Sequence, residues 1–86
     1  MKSTQIEKNL KILRKYHDFT QEDMSVILNI SRSCYTMYEI GMRRPDLEML
    51  FTLSEKFSIP LDCFFYESSK FMKVLLEYDV LSSLKP

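Results

Sequence analysis

The sequence predicts an all-α domain, and three features of its 86 residues support this class. Glycine occurs once and proline three times, so the chain lacks the turn residues that the hairpins of an all-β protein need. Apolar residues recur at intervals of three and four in several short segments, which is the spacing of amphipathic helices. With 45% hydrophobic and 28% charged residues, the composition is typical of one globular domain.

The first predicted helix has an apolar stripe at steps of four and three residues, formed by Ile6, Leu10 and Leu13. Its pattern breaks at residues 17–19. Thr20 then offers the side-chain oxygen of an N-cap, and Asp23 stands where a capping box has an acidic residue. We therefore expect a second, short helix to begin directly after Thr20.

A third helix is predicted to follow the second after a tight turn. Asn29 tolerates the left-handed conformation that ends a helix, and Ser31 can cap a new helix two residues later. The predicted helix runs from about Arg32 to Ile40, and Gly41 stands where its C-cap is needed. Two short helices joined in this way are typical of a helix-turn-helix motif.

Two further helices are expected to close the core. Asp46 caps the fourth, whose expected buried side consists of Leu47, Leu50, Phe51, Leu53 and Phe57. A short fifth helix follows a break at residues 58–60. Another helical pattern then runs from residue 68 or 69 to about Leu84. We divide the chain into a domain of residues 1–67 and a C-terminal helical extension of residues 68–86.

The charge is unevenly distributed although the net charge is zero, with twelve basic and twelve acidic residues. Residues 1–45 carry eight Lys or Arg against five Asp or Glu, a local charge of +3. Residues 46–86 carry four against seven, a local charge of −3. A basic face in the first half could meet phosphate groups, and the acidic second half would face away or meet a partner.

The sequence offers no set of residues for catalysis or metal binding. His17 is the single histidine, and no nucleophile is spaced to pair with it. Cys34 and Cys63 fit no metal-ligand spacing. The chain shows neither a signal peptide nor an apolar run long enough for a membrane span, so we expect reduced thiols in a cytoplasmic protein. We expect no enzyme activity, no cofactor, no metal and no membrane contact.

Residues 6–66 resemble the helix-turn-helix family typified by the phage lambda and 434 repressors and Cro. The motifs that carry the resemblance stand in the family's order: Arg14, Thr20-Gln21-Glu22, Ile30-Ser31-Arg32-Ser33, Tyr38-Glu39-Ile40-Gly41 and Arg43-Arg44-Pro45-Asp46-Leu47. The resemblance implies a five-helix lambda-repressor-like DNA-binding domain, here with an additional C-terminal helix. It further implies a bacterial or phage-encoded, nucleoid-associated regulator of transcription, with repression as the expected effect.

By this resemblance, the third helix lies in the major groove of double-stranded DNA with its first residues at the base edges. Arg32 is the candidate for a bidentate contact to guanine, with a phosphate contact as its alternative. Thr36 and Met37 could contact a thymine methyl group. The expected DNA-binding residues are Gln21, Ser31, Arg32, Ser33, Thr36, Met37, Arg43 and Arg44.

Some of these residues have a second interpretation. Gln21 is expected to contact the DNA backbone but could be an ordinary first-turn residue, and Ser31 could be purely a cap. Arg43 and Arg44 could form an exposed basic loop without a partner. Arg14, late in the first helix, and Glu39, late in the third, stand at the positions of the family's paired charges. Such a pair would fix the third helix, the recognition helix, against the rest of the domain.

An alternative function class remains open, because the third helix departs from the family pattern. Met37, Ile40 and Met42 stand where the family usually has polar or basic residues, and they leave an apolar strip that could meet a protein. The fold alone does not guarantee DNA binding. The alternative is therefore a protein-interaction module, such as an antitoxin or anti-repressor.

The C-terminal extension lies beyond the resemblance and has its own apolar pattern, formed by Phe71, Val74, Tyr78 and Leu81. One interpretation is that this helix joins two chains into a homodimer. Two recognition helices could then reach half-sites about one turn of DNA, roughly 34 Å, apart. The other interpretation is that the helix folds back on its own domain.

Overall fold

The computed structural model describes residues 5–83, with side chains described for residues 5–78. Over these residues the chain is all-helical and has no strand, which confirms the predicted class. The predicted fifth helix is a short 3₁₀ helix, Leu61–Phe65. The five α-helices are α1 (Gln5–Tyr16), α2 (Gln21–Leu28), α3 (Arg32–Ile40), α4 (Leu47–Phe57) and α5 (Ser68–Ser83).

Side-chain caps fix where α2, α3 and α4 begin. The Thr20 hydroxyl accepts a hydrogen bond from the Asp23 backbone at 3.0 Å, and the Asp23 carboxylate accepts one from the Thr20 backbone at 2.8 Å. Ser31 and Asp46 each accept a hydrogen bond from the backbone N–H three residues later. Each cap satisfies a donor that the helix itself leaves unpaired, so the predicted starts are confirmed.

Helices α2 and α3 each end at a residue in the left-handed backbone conformation. Asn29 ends α2 with φ at 56°, and Gly41 ends α3 with φ at 78°. A Cβ atom on Gly41 would overlap Oε2 of Glu7, which belongs to α1. Glycine is therefore favoured here by the backbone conformation, and a side chain would also have to displace the Glu7 carboxylate.

Helix α1 lies at the centre of the fold. It packs against α3, α5 and the 3₁₀ helix, while α2 packs against α3 and α4. The helix-turn-helix pair α2–α3 therefore rests on one continuous apolar core. The buried apolar side chains are Ile6, Leu10, Leu13, Met24, Leu28, Tyr35, Tyr38, Leu50, Leu53, Ile59, Cys63, Phe64, Phe71 and Leu75.

A buried asparagine on α1 fixes the segment that follows α4. The Asn9 side chain is fully buried, and its Nδ2 donates to the carbonyls of Phe64 at 3.0 Å and Tyr66 at 2.7 Å. The Ser68 hydroxyl donates to Asn9 Oδ1 at 3.5 Å. One side chain thus joins α1 to the end of the 3₁₀ helix and to the start of α5.

Helix α5 packs on its own domain. The Phe71 ring is fully buried, 5.7 Å from the ring of Phe64, and α5 lies against α1. The expectation that Phe71 joins two copies is wrong, because other side chains of the same molecule already cover its ring. Val74 and Tyr78 are half-buried, and the Leu81 side chain lies outside the described residues. A dimer contact by these three residues stays a prediction.

The exposed flank of α4 also differs from expectation. Leu50 and Leu53 are buried as predicted, whereas Leu47 is 62% exposed and Phe51 is 55% exposed. Successive helical residues are rotated by about 100°, so Leu47 and Phe51 lie to one side of the core-facing stripe. Their predicted burial is wrong, and α4 carries an apolar flank that its own domain leaves uncovered.

Candidate nucleic-acid interface

The outer face of α3 carries the residues expected to read DNA. Arg32 and Ser33 are exposed, Met37 is 41% exposed, and Thr36 is half-buried. Residues three and four apart share one face of a helix, so these four side chains form one surface. An α-helix with such a surface fits the width of the major groove.

Gln21, the first residue of α2, is hydrogen-bonded within the protein. Its Nε2 donates to Glu39 Oε1 at 3.2 Å. Its Oε1 accepts a hydrogen bond from the Thr36 hydroxyl at 2.9 Å. Both ends of the Gln21 amide thus hold α3 against α2.

Arg14 and Glu39 form a bidentate ion pair between α1 and α3. Arg14 Nε donates to Glu39 Oε2 at 2.7 Å, and Nη2 donates to Oε1 at 3.1 Å. Nη1 donates to the carbonyl of Phe19 at 3.1 Å, which fixes the turn between α1 and α2. The Arg14 side chain is 13% exposed and that of Glu39 is 3% exposed, so the pair is largely removed from water.

Glu39 is the centre of a polar network under the recognition helix. Burial opposes ionisation of its carboxyl, but hydrogen bonds from Arg14, Tyr35 and Gln21 outweigh burial and lower the pKa of Glu39. The hydrogen bond to Glu39 likewise raises the pKa of Arg14. Burial and the bond to Glu39 raise the pKa of Tyr35, whose hydroxyl stays a donor. The charged Glu39 therefore ties α3 to both α1 and α2.

No polar role was assigned to Tyr35 from the sequence, whereas the structure places this residue in both the core and the polar network. A buried tyrosine hydroxyl usually has a hydrogen-bond partner, and this was the signal that the sequence offered. The hydroxyl donates to Glu39, one helical turn further along α3. Tyr35 thus joins the core to the polar network through a single side chain.

Three arginines of this region are exposed: Arg32 at the start of α3, and Arg43 and Arg44 in the loop before α4. Within the described residues, no hydrogen bond or ion pair holds any of their guanidinium groups. They contrast with Arg14, whose three guanidinium nitrogens each donate a hydrogen bond inside the fold. These three guanidinium groups therefore have no partner among the side chains of residues 5–78.

The described part of the chain has few features that would indicate metal binding, a membrane span or thiol chemistry. No three His, Cys, Asp or Glu side chains there come together as metal ligands, and no helix there is long and apolar enough to cross a membrane. Both cysteines are free thiols. Burial raises the pKa of the Cys63 thiol to about 12, so this cysteine is unreactive at neutral pH.

Helices α2 and α3, with the turn between them and the exposed face of α3, define a helix-turn-helix protein. A family model described as Helix-turn-helix matches residues 10–62, which is more than half of the chain. The chain therefore belongs to this helix-turn-helix family, of the lambda-repressor type, and the resemblance seen in the sequence is confirmed.

Several relatives are similar over the same region. The HTH-type transcriptional regulator YqaE of Bacillus subtilis is 43% identical over 54 residues, covering 63% of this chain and 47% of the relative. Antitoxin PezA of Streptococcus pneumoniae is 39% identical over 54 residues, covering 63% and 34%. The HTH-type transcriptional regulator MJ0272 of Methanocaldococcus jannaschii is 32% identical over 66 residues, covering 76% of this chain and 100% of the relative. The chain thus spans less than half the length of the first two relatives.

A solved structure shares the whole architecture. The transcriptional regulator from Listeria innocua superposes with a TM-score of 0.66 at 20% identity. The superposition covers 94% of this chain and 95% of the other. The likeness includes the region of α5, so the five-helix arrangement of this chain occurs in a second protein.

Proposed function

We propose that the chain is a sequence-specific, double-stranded DNA-binding regulator of transcription that acts as a repressor in the cytoplasm, on nucleoid DNA. The observation that carries the proposal is the exposed face of α3, with the guanidinium of Arg32, which has no partner among the described residues, at its start. The helix N-terminus is the end that meets base edges in this motif. Arg43 and Arg44 add positive charge beside the same face.

Each residue of the interface has a distinct proposed role. Arg32 reads a guanine in the major groove, and Ser33 reaches the adjacent base or phosphate. The Thr36 hydroxyl already donates to Gln21, so its methyl group and Met37 are left for apolar contact with thymine. Arg43 and Arg44 bind phosphates, as do the first turn of α2 and the exposed hydroxyl of Ser31.

A second candidate function is a protein-binding module of the antitoxin kind. It is favoured by the 39% identity to antitoxin PezA and by the exposed side chains of Ile40 and Met42. Such a module would use an apolar surface where the regulator uses its arginines. A loss of DNA affinity in Arg32→Ala would favour the DNA-binding regulator over the protein-binding module.

The first test is salt-dependent binding to duplex DNA. Each phosphate contact lowers the slope of log affinity against log salt by about 0.9, so two or three arginine contacts per chain predict a slope of about −2 to −3 per chain. The duplex is selected from a random pool, and fluorescence anisotropy measures its affinity from low to physiological salt. Binding at low salt no tighter than that of an unrelated neutral protein of equal size would exclude the proposal.

The second test separates base reading from phosphate binding. Arg32→Ala should relax the preference at one base pair, with a loss of about 1–3 kcal/mol for the preferred base. Arg43→Ala, the matched control, should weaken all sequences alike and reduce the salt slope by about 1. Both variants are compared on duplexes altered at one base pair at a time. If Arg32→Ala weakened binding to all duplexes equally, Arg32 would contact a phosphate and not a base.

A further inference from the structure

The outer face of α3 changes in character along its length. Arg32 and Ser33, at its start, are exposed and polar. After Ser33, the exposed side chains of this helix are those of Met37 and Ile40, and neither carries a hydrogen-bond donor. Met37 is 41% exposed and lies one turn after Ser33, so it continues the same face. The face proposed to read DNA therefore has a polar first half and an apolar second half.

Thr36 belongs to the apolar half, because its hydroxyl is engaged within the fold. The Thr36 hydroxyl donates its single hydrogen to Oε1 of Gln21 at 2.9 Å. Gln21 in turn donates from its amide nitrogen to Oε1 of Glu39 at 3.2 Å. Thr36 therefore has no donor left for a base, and its methyl group remains. We call Thr36 and Met37, which are neighbours in sequence, the 36–37 face.

A surface without a donor can recognise thymine in only one way. In the major groove, thymine presents an acceptor oxygen, O4, and the C5-methyl group. A hydrogen bond to O4 needs a donor, which neither Thr36 nor Met37 provides. Contact with the methyl group needs only an apolar surface, which both side chains provide. The 36–37 face is therefore suited to the methyl group and not to the rest of the base.

Because the methyl group is the feature recognised, the base that carries it need not be thymine. We propose that the 36–37 face binds the C5-methyl group of a pyrimidine, whether thymine or 5-methylcytosine carries it. Both bases hold this methyl group at the same position of the same ring, and they differ at the neighbouring C4 atom. The methyl group thus adds the same apolar contact to either base pair.

This inference rests on the proposed function and adds a form of regulation to it. A duplex with cytosine at the contacted position would gain the methyl contact when that cytosine is methylated at C5. Burial of one methyl group is expected to raise affinity about fourfold. The chain would then distinguish methylated from unmethylated DNA at such sites.

The experiment uses the full chain and a duplex selected from a random pool. Each thymine is replaced in turn by deoxyuridine, which lacks only the methyl group, and fluorescence anisotropy measures the affinity. We expect a loss of about fourfold at the thymine that contacts the 36–37 face. Cytosine and 5-methylcytosine, each paired with guanine, are then compared at that position. Methylation of the cytosine should raise affinity by the same factor.

Two variants locate the methyl contact on the protein. Met37→Ala should reduce both methyl effects to less than about twofold, because it removes most of the apolar side chain. Thr36→Ser keeps the hydroxyl that bonds Gln21, removes the methyl group and should also reduce both effects. The matched control is Val26→Ala on α2, which shortens a side chain that is 71% exposed and should leave both effects unchanged. Each effect is a ratio of two affinities of one variant, so a general loss of binding does not alter it.

Three results would overturn the inference. No thymine of the selected duplex responds to deoxyuridine, methylation of cytosine at the responding position has no effect, or both methyl effects survive Met37→Ala and Thr36→Ser. In each case the chain still binds duplex DNA, so the proposed function stands. A chain that binds no duplex from the pool contradicts the proposed function itself. Equal methyl effects on the two pyrimidines, both reduced in Met37→Ala, would establish the 36–37 face as a methyl-binding surface.

Discussion

Replacing Arg14 with alanine is expected to lower the free energy of unfolding by about 3 kcal/mol, because it leaves a buried carboxylate without its positive partner. Glu39 is 3% exposed and accepts two hydrogen bonds from Arg14. Tyr35 and Gln21 would remain as donors, but neither carries a charge. The change in the free energy of unfolding is measured by urea denaturation at neutral pH, with the circular dichroism signal of the helices as the probe.

Two variants control this result. Lys15→Ala removes an exposed charge from the same helix and should change stability by less than about 0.5 kcal/mol. The double variant Arg14→Met with Glu39→Leu leaves no charge unpaired and should recover part of the loss. If Arg14→Ala unfolds at the same urea concentration as the wild-type chain, the ion pair does not hold α3 in place.

The helix boundaries of the motif could be predicted because their causes are local. Thr20, Ser31 and Asp46 each bond a backbone group three residues away, and Gly41 adopts the positive φ that ends α3. No knowledge of distant residues is needed to infer such contacts. The outward face of α3 was predictable for the same reason, since helical spacing alone decides which of its side chains share a surface.

The misplaced side chains have a different cause. Apolar spacing shows that residues lie on one stripe, but it does not show which neighbour covers each of them. Phe71 fits a dimer interface and a core position equally well by spacing, and only the packing of distant residues such as Phe64 around its ring decides between them. Leu47 and Phe51 belong to the apolar pattern of α4, yet each is more than half exposed, and no element among the described residues covers that flank.

Polar side chains were the least predictable, because their partners are distant in sequence. A DNA-backbone contact was predicted for Gln21, and its bonds to Thr36 and Glu39, 15 and 18 residues further along, were missed. Asn9 lies three residues after Ile6 and four before Leu13, so spacing places it on the buried stripe of α1 but does not show which groups it bonds. Its carbonyl partners are 55 and 57 residues away.

Replacing Asn9 with leucine is expected to cost about 2–5 kcal/mol, since two carbonyl groups would lose their donor at once. Leucine is close to asparagine in size, so the change tests hydrogen bonding more than volume. The carbonyl of Phe64 lies near the end of the 3₁₀ helix, where a helix cannot supply its own donors. The free energy of unfolding is measured by urea denaturation. Hydrogen exchange should show the earliest loss of protection in the 3₁₀ helix and α5, ahead of α2 and α3.

The controls for Asn9 separate its donors from its other contacts. Ser68→Ala removes only the 3.5 Å hydroxyl contact to Asn9 Oδ1 and should cost less than about 0.5 kcal/mol. Asn9→Asp keeps the shape but turns a carboxylate toward two carbonyl oxygens, so at neutral pH it should destabilise at least as much as leucine. A leucine variant as stable as the wild-type chain would mean that its apolar burial replaces the two hydrogen bonds. Equal exchange protection in α5 and α3 would show that Asn9 does not hold α5 on the domain. Loss of protection confined to the 3₁₀ helix and α5 would establish Asn9 as the contact that joins α5 to the DNA-binding fold.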